Sequence, residues 1–218
     1  ENVMRLRNIP GAKEEMVANE FVYTDEELKK GKWREEVFKN NNPLHIEVGT
    51  GKGRFITGHA KEEPDVNFLG IEKYSSVLLK ALKKLEDAEL DNLRLIRMDA
   101  DNILDAFAER EVDKIYLNFS DPWPKDRHAK RRLTSDRFLG KYEKILVKGG
   151  LVEFKTDNRD LFDFSLESIK ECGWELVDYT FDLHNDPERL VGNICTEYEL
   201  KFSEAGNPIC KLIARNVR

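Results

Sequence analysis

Beyond residue 43 the chain alternates two patterns: short β-prone apolar runs, and longer segments whose apolar residues recur at helical spacing. Residues 43–53 read PLHIEVGTGKG, a strand run ending in glycines, and residues 54–60 open a helix. Residues 66–71 form a second apolar run that ends in Glu72, and residues 75–85 carry Leu78, Leu79, Leu82 and Leu85 on one helical face, with Ser75 or Ser76 as N-cap. A third strand, 93–98, ends in Asp99; residues 103–107 make a short helix, and 112–117 a fourth strand. Two prolines close together then forbid helix or ladder pairing. A helix over 135–146 is closed by Lys148, Gly149 and Gly150 before a fifth strand, 151–154, which ends at KTDN, residues 155–158. The helix over 160–170 stops at Cys172 and Gly173, and residues 174–179 alternate as a sixth strand. A polar loop over 183–193 leads to Thr196, which has capping-box spacing to Glu199 and opens a helix over 197–204 ended by Gly206 and Asn207. Residues 208–214 supply a last strand.

This alternation predicts an α/β fold: a doubly wound, mostly parallel, seven-stranded sheet with helices on both faces and right-handed crossovers. Ahead of it, residues 25–38 read as an amphipathic helix with Leu28, Val37 and Phe38 inward. Residues 1–40 are thus expected to form an arm and helix packed on a main domain of 41–218, the whole making one structural domain, with Met4 as a plausible start residue.

Composition narrows the function. A chain of 218 residues with 40% hydrophobic and 36% charged residues has the balance of a soluble protein with a sizeable core. It has neither the ~20-residue apolar stretch of a membrane span nor a leader pattern, so a cytoplasmic protein with no membrane partner is expected. Cys172, Cys195 and Cys210 are scattered, which argues for reduced thiols. His45, His59, His128 and His184 are dispersed too, so no metal site is expected. The net charge of −6 means that any polyanion must be met by a local basic patch. Arg5 with Arg7, and a run of Lys29, Lys30, Lys32 and Arg34, are two such patches; the second reads better as a solvated helix face.

The densest patch follows the fourth strand. Residues 118–134 read NFSDPWPKDRHAKRRLT and place a carboxylate, Asp121, an aromatic plane, Trp123, and an ammonium, Lys125, ahead of Arg127, His128, Lys130, Arg131 and Arg132. At the carboxyl end of a strand in an open parallel sheet, this suits an anionic, planar substrate, and nucleic acid fits best; the plain alternative is a Pro-kinked loop with a solvated basic face. Acids also mark the earlier strand ends: Glu47 before Gly49, Gly51 and Gly53, then Glu72 and Asp99. Glu47 would repel a phosphate but suits a cationic group, Glu72 suits two ribose hydroxyls, and Asp99 an adenine amino group. A positively charged adenosine ligand without phosphates is S-adenosylmethionine.

The chain resembles the bacterial tRNA (guanine-N7-)-methyltransferases. The resemblance is carried by EVGTGKGRF (47–55), GIEKYSSVLLKAL (70–82), MDAD (98–101), the 118–134 stretch, FKTDN (154–158) and TEYELKFSEAGNPI (196–209). It implies a Rossmann-like class I methyltransferase fold and methyl transfer from S-adenosylmethionine, leaving S-adenosylhomocysteine, to N7 of guanosine 46 in the variable loop of tRNA. Carried over residue by residue, it implies cofactor contacts at Glu47, Gly49, Gly51, Glu72, Asp99, Ala100, Asn118 and Asp121, and a catalytic role for Asp121. It further implies substrate contacts at Lys125, Asp157, Thr196, Glu197, Tyr198 and Glu199, an RNA-facing stretch from Arg127 through His128, Lys130 and Arg131 to Arg132, no metal, and a monomer or homodimer. Val48, Cys195 and Cys210 depart from the family pattern beside its motifs.

Guanine N7 has a free lone pair and no proton, so its methylation calls for positioning rather than a base, and alignment alone is worth ~7 to 11 kcal/mol. A fixed carboxylate such as Asp121 would stabilise positive charge developing on the base. Asp157 or Glu199 would accept guanine's N1–H and amino group, although Glu199 reads equally as a helix cap. Trp123 stacks on a base or plugs the loop. Three readings compete: methylation of an exocyclic amino group, for which NFSDP has a similar look; an RNA-binding protein without catalysis; and a nicotinamide-dependent oxidoreductase.

Overall fold

A computed structural model of the chain describes residues 9–218; Met4, Arg5 and Arg7 lie outside them. Strands β1 (Val22–Tyr23), β2 (Leu44–Val48), β3 (Asn67–Glu72), β4 (Leu93–Arg97), β5 (Val112–Asn118), β6 (Leu146–Thr156), β7 (Glu175–Thr180) and β8 (Cys210–Arg215) form one sheet in the order β1-β4-β3-β2-β5-β6-β8-β7. Every pair from β1 to β6 is parallel, and β8 runs antiparallel to both its neighbours. The helices are α1 (Ala12–Ala18), α2 (Arg54–Glu62), α3 (Ser75–Asp87), α4 (Ile103–Ala106), α5 (Asp136–Ile145), α6 (Arg159–Glu171), α7 (Pro187–Leu190) and α8 (Glu197–Glu204). None of the described helices is long and apolar enough to cross a membrane.

Both faces of the sheet are apolar because the strands are covered on both sides. One cluster joins Phe55 and Ile56 of α2 and Leu78 and Leu82 of α3 to Phe68, Leu95 and Tyr116 of the sheet. The other joins Phe138, Leu139 and Tyr142 of α5 and Phe162 of α6 to Ile46, Ile115 and Phe154. Neighbouring residues of a strand point to opposite clusters, as the period of two requires.

The sheet has eight strands rather than seven. The added strand is β1, in which Val22 and Tyr23 pair with Leu95 and Ile96, and two residues are too few to leave a periodic trace. Residues 25–38 are not one helix: Gly31 turns the chain at φ +76°, and only Trp33–Phe38 is helical, wound as a π-helix. Its anchor is Trp33, fully buried, whose Nε1 donates to Ala106 O at 2.7 Å; Leu28, Val37 and Phe38 do pack inward. Neither Ser75 nor Ser76 caps α3: the N-cap is Tyr74, and Ser76 Oγ accepts from Ile9 N at 2.7 Å. Gly149 and Gly150 do not precede the strand but lie within β6, where its register against β5 jumps from Val112↔Leu146 to Lys114↔Leu151. A Cβ at Gly150 would come within 2.9 Å of Val147 O, so the kink requires glycine. The 183–193 loop contains a 3-10 turn, Leu183–Asn185, and α7, capped by Asp186.

The order of strands reverses between β2 and β5. From β2 the chain moves outward to β3 and β4, then returns to the other side for β5 and β6. Such a switch point leaves a crevice beyond the carboxyl ends of the two central strands, because their connections depart in opposite directions. The glycine turn after β2 and the Pro-rich loop after β5 both open there.

Candidate active site

A cavity of about 910 Å³ fills this crevice. Four strand ends line it: Val48, Gly49 and Gly51 at the end of β2; Ile71, Glu72, Lys73 and Tyr74 at the end of β3; Met98, Asp99, Ala100 and Asp101 beyond β4; and Asn118, Phe119, Ser120, Asp121 and Trp123 at the end of β5 and in the loop that follows it. Arg131, Leu133, Arg137 and Phe138 close the far side. Of the residues expected to meet a cofactor, Gly49, Gly51, Glu72, Asp99, Ala100, Asn118 and Asp121 are therefore together in one wall.

Glu47 is not among them. It lies inside β2, buried, with one carboxylate oxygen accepting from Thr50 Oγ1 and the other from Asn118 Nδ2 at 2.8 Å. It stands one layer behind the wall and ties β2 to β5 across the switch point. Burial pushes its carboxyl up to about 8, against the opposing effect of the two hydrogen bonds.

The glycine turn shows why its neighbours are acidic. Gly49 N and Thr50 N both donate to Ile71 O at 2.8 Å, and Gly51 N donates to Glu72 Oε1 at 3.1 Å. The amides that would cradle a pyrophosphate in a dinucleotide fold are thus occupied by the protein. Gly53 serves packing: at φ +86° its Cβ would lie 2.7 Å from Ala81 Cβ, so only glycine lets α2 begin against α3. The second oxygen of Glu72 accepts from Tyr74 N at 3.0 Å, and burial raises its carboxyl despite these backbone donors. Asp99 caps the 3-10 turn Ala100–Asn102 through Asp101 N at 3.0 Å and faces Lys73 Nζ at 3.3 Å. The amide bond, and then Lys73, hold it below the usual carboxylate range. Its capping duty and its place in the wall are both real.

The loop after β5 bends twice through the left-handed region without glycine, at Phe119 (φ +55°) and Trp123 (φ +44°). Such conformations persist only where the surroundings fix them. Here they turn Asp121 to the cavity mouth, exposed, with Trp123 beside it. The 3-10 turn Asp126–Arg131 folds back on the indole: Arg131 lies 5.0 Å over the ring, and His128 meets it edge-on at 5.6 Å. Arg127 and Lys130 are exposed on the rim, Lys130 facing Asp136 at 3.4 Å. Lys125 is exposed beside them and is not part of the cavity wall.

The residues expected to touch substrate from the C-terminal part divide. Tyr198 reaches the site through Phe119, 4.9 Å between ring centroids, and its Oη donates to Asp157 Oδ2 at 2.8 Å, so Asp157 and Tyr198 stand together next to the cavity. Thr196 caps α8, its Oγ1 accepting from Glu199 N at 3.0 Å. Glu197 bridges α8 to Lys84 of α3, 3.2 Å away, and accepts from Arg54 N. Glu199 is withdrawn altogether. Its carboxylate is fully buried and accepts from Lys155 Nζ, from Asn193 Nδ2 at 2.9 Å, from Cys195 Sγ at 3.4 Å, and pairs with His184 Nε2 at 2.8 Å. Burial, the largest single influence, raises it, but the Lys155 ammonium together with the Asn193 and His184 hydrogen bonds outweighs burial and keeps it low. Residues dispersed in the sequence are therefore not dispersed in space: donor atoms of His184, Cys195 and Glu199 lie within 4.8 Å of one another, held as a hydrogen-bonded cluster on a lysine. Fully buried and with both oxygens engaged, Glu199 presents no edge to the cavity, whereas Asp157, the other carboxylate considered, stands beside it.

Tyr74, Phe119 and Arg137 are cavity residues that the motif reading did not single out. Tyr74 and Arg137 sit one residue beyond a strand-end acid's turn and within a helix start, where neither spacing nor residue type distinguishes them from surface positions. Arg137 is tied to Asp101 by an ion pair of 2.6 Å.

Residues 41–212 match the protein family described as "Putative methyltransferase". The chain is 63% identical to a tRNA (guanine-N(7)-)-methyltransferase of Lachnoclostridium phytofermentans, over 97% of this chain and 98% of that one. To the enzyme of the same name from Bacillus subtilis it is 52% identical, covering 94% and 96%. Among solved structures, the 16S rRNA methyltransferase KamB superposes with a TM-score of 0.66 at 14% identity, over 87% of this chain and 94% of that one, a likeness of fold.

Proposed function

The chain belongs to the tRNA (guanine-N7-)-methyltransferases, and from that membership and the geometry of the crevice we infer that it methylates N7 of guanosine 46 in the variable loop of tRNA, using S-adenosylmethionine. The observation that carries the cofactor reading is the occupied glycine turn. With Gly49, Thr50 and Gly51 amides bonded to Ile71 and Glu72, the crevice offers no phosphate cradle, yet it holds Glu72, Asp99 and Asp121 in one wall. An adenosine carrying a cation suits that wall and a nicotinamide dinucleotide does not.

S-adenosylmethionine, when bound, supplies an electrophilic methyl group on a positively charged sulfur. The chain's part is to hold and align. Glu72, already fixed by two backbone amides, presents acceptors suited to ribose hydroxyls, and Asp99 one suited to an adenine amine. Because N7 carries no proton, no residue is required as base. Asp121 supports transfer as a fixed negative charge at the mouth, where positive charge grows on the imidazole part of the base. Asp157, oriented by Tyr198 Oη, is suited to accept guanine's N1–H and amino group, a pattern adenine lacks. Arg127, Lys130 and Arg131, exposed beside the cavity, are suited to meet the RNA backbone.

The test is incubation with labelled S-adenosylmethionine and unmodified tRNA, followed by nuclease digestion and mass spectrometry. The expected product is 7-methylguanosine at position 46; a methyl on an exocyclic amine, or none, would overturn the reading.

A further inference from the structure

Arg132 differs from the basic residues around it. Arg127, Lys130 and Arg131 are exposed, whereas Arg132 is half-buried and points back into its own loop. Its Nε donates to Pro122 O and Trp123 O, both at 3.1 Å, and its Nη2 donates to Trp123 O at 2.9 Å. The guanidinium lies over the ring of Phe164 on α6, 4.5 Å from the centroid. Those carbonyls belong to the two residues directly after Asp121.

The loop needs such a clasp. Pro122 and Pro124 have no N–H to give, so the segment cannot be fixed by a backbone ladder and must be held by its carbonyls. Trp123 sits at φ +44° although it carries a bulky side chain and precedes a proline, a combination that sterics disfavour twice over. A guanidinium is the side chain whose rigid fork reaches two neighbouring carbonyls at once while its face stacks on an aromatic ring. On the outgoing side the chain is fixed independently, by Ser135 at the start of α5 and by Tyr142 Oη donating to Leu133 O at 2.8 Å.

We propose that Arg132 is a positioning residue for methyl transfer: it bolts the Asp121–Trp123 turn to α6 through the carbonyls of Pro122 and Trp123, and it is not one of the phosphate contacts of the basic stretch. This rests on the crevice being the cofactor and guanosine site. Wild-type binding of S-adenosylmethionine and formation of 7-methylguanosine are therefore measured first, and their absence would count against that reading and not against the role of Arg132.

The discriminating variant is Arg132→Lys, compared with Arg132→Ala and Arg131→Ala in single-turnover methylation at saturating tRNA and in tRNA binding over a range of salt. A lysine keeps the charge but not the fork, so a phosphate contact would survive the exchange and a two-carbonyl clasp would not. Both Arg132 variants are expected to lose rate on the order of a hundredfold, the size of effect a misplacement of about 1 Å produces, with tRNA affinity and its salt slope unchanged. Added guanidinium should restore part of the rate to Arg132→Ala and none to Arg131→Ala. Phe164→Leu, which removes the stacking face and leaves every charge, should move the rate the same way by a smaller factor, and it carries the test should Arg132→Ala fail to fold. The proposal is overturned if Arg132→Lys turns over at the wild-type rate, or if Arg132→Ala weakens tRNA binding and flattens its salt slope by roughly 0.7 to 0.9, the signature of one lost phosphate contact.

Discussion

Glu72 shows how one side chain builds a site and serves it. Its two oxygens take the amides of Gly51 and Tyr74, which fixes both the glycine turn and the exit from β3, and its remaining acceptor capacity faces the cavity. Glu72→Ala should weaken S-adenosylmethionine binding by about 1.5 to 3 kcal/mol, the range for a bond to a charged group; equal affinity by calorimetry would remove Glu72 from the site. Glu47 predicts a dependence on pH. Its carboxyl rises from 4.5 to about 8 on folding because it is buried. The folded protein then holds this proton more tightly than the unfolded chain, so the stability it contributes is complete below about 4.5 and is lost as pH rises through about 8. Urea unfolding of the ligand-free protein should show stability falling across that window, and Glu47→Gln should flatten the fall; an unchanged slope in the variant would assign the dependence elsewhere. At this scale the sequence pointed to Glu72, Asp99 and Asp121, which line the crevice, because each stands at or just beyond the end of a strand. It did not reveal depth. Glu47 in the second layer and Glu199 in the interior have the same residue type and motif support as Glu72, and only packing separates them.

At the scale of elements, legibility followed length and repetition. The five longer helices and strands β2 to β5 are specified by local periodicity and lie where the pattern puts them, whereas β1, the π-helix at Trp33 and the kink at Gly149 and Gly150 are made by tertiary contacts that leave no local trace. The segment between β7 and α8 belongs with the second group. It is held by the Lys155–Glu199 pair, which joins β6 to α8 and collects His184, Asn193 and Cys195 around one buried carboxylate. Lys155→Met would strip that buried carboxylate of its ammonium and leave it only His184, Asn193 and Cys195, a change that costs up to about 3 to 5 kcal/mol, and should lower the melting midpoint by roughly 6 to 20 °C for a chain of this size. Adding Glu199→Leu removes the stranded charge, so the double variant should be more stable than Lys155→Met alone. Urea or thermal unfolding of the three proteins checks this, and a double variant less stable than the single would mean that the cluster, not the pair, carries the stability.

For the molecule as a whole the question is how a chain of net charge −6 holds a polyanion. Several of its cations are committed to its own acids. Arg34 is bound to Asp113 and to the carbonyls of Asn42 and Glu111, and Lys29 and Lys32 pair with Glu36 and Glu35, so that run is internal structure and a neutralised face. Arg132 is turned inward. Beside the crevice stands a small exposed set, Lys125, Arg127 and Arg131, together with Lys130, whose ion pair with Asp136 at 3.4 Å is itself exposed, and the acid-lined cavity lies behind it. Few phosphate contacts imply a shallow salt dependence, because each contributes a slope of only about −0.7 on single strands to −0.9 on duplex when its counterions are released. Arg127→Ala with Lys130→Ala, two positions outside the cavity wall, should therefore reduce the slope of log affinity for tRNA against log salt by roughly one to two units. Affinity for S-adenosylmethionine should stay nearly constant, since charges on the rim are screened from the cavity beyond a Debye length of ~8 Å at physiological salt. Wild-type tRNA affinity and slope in that double variant would show the rim to be a solvated face and would move the RNA surface to the N-terminal Arg5 and Arg7.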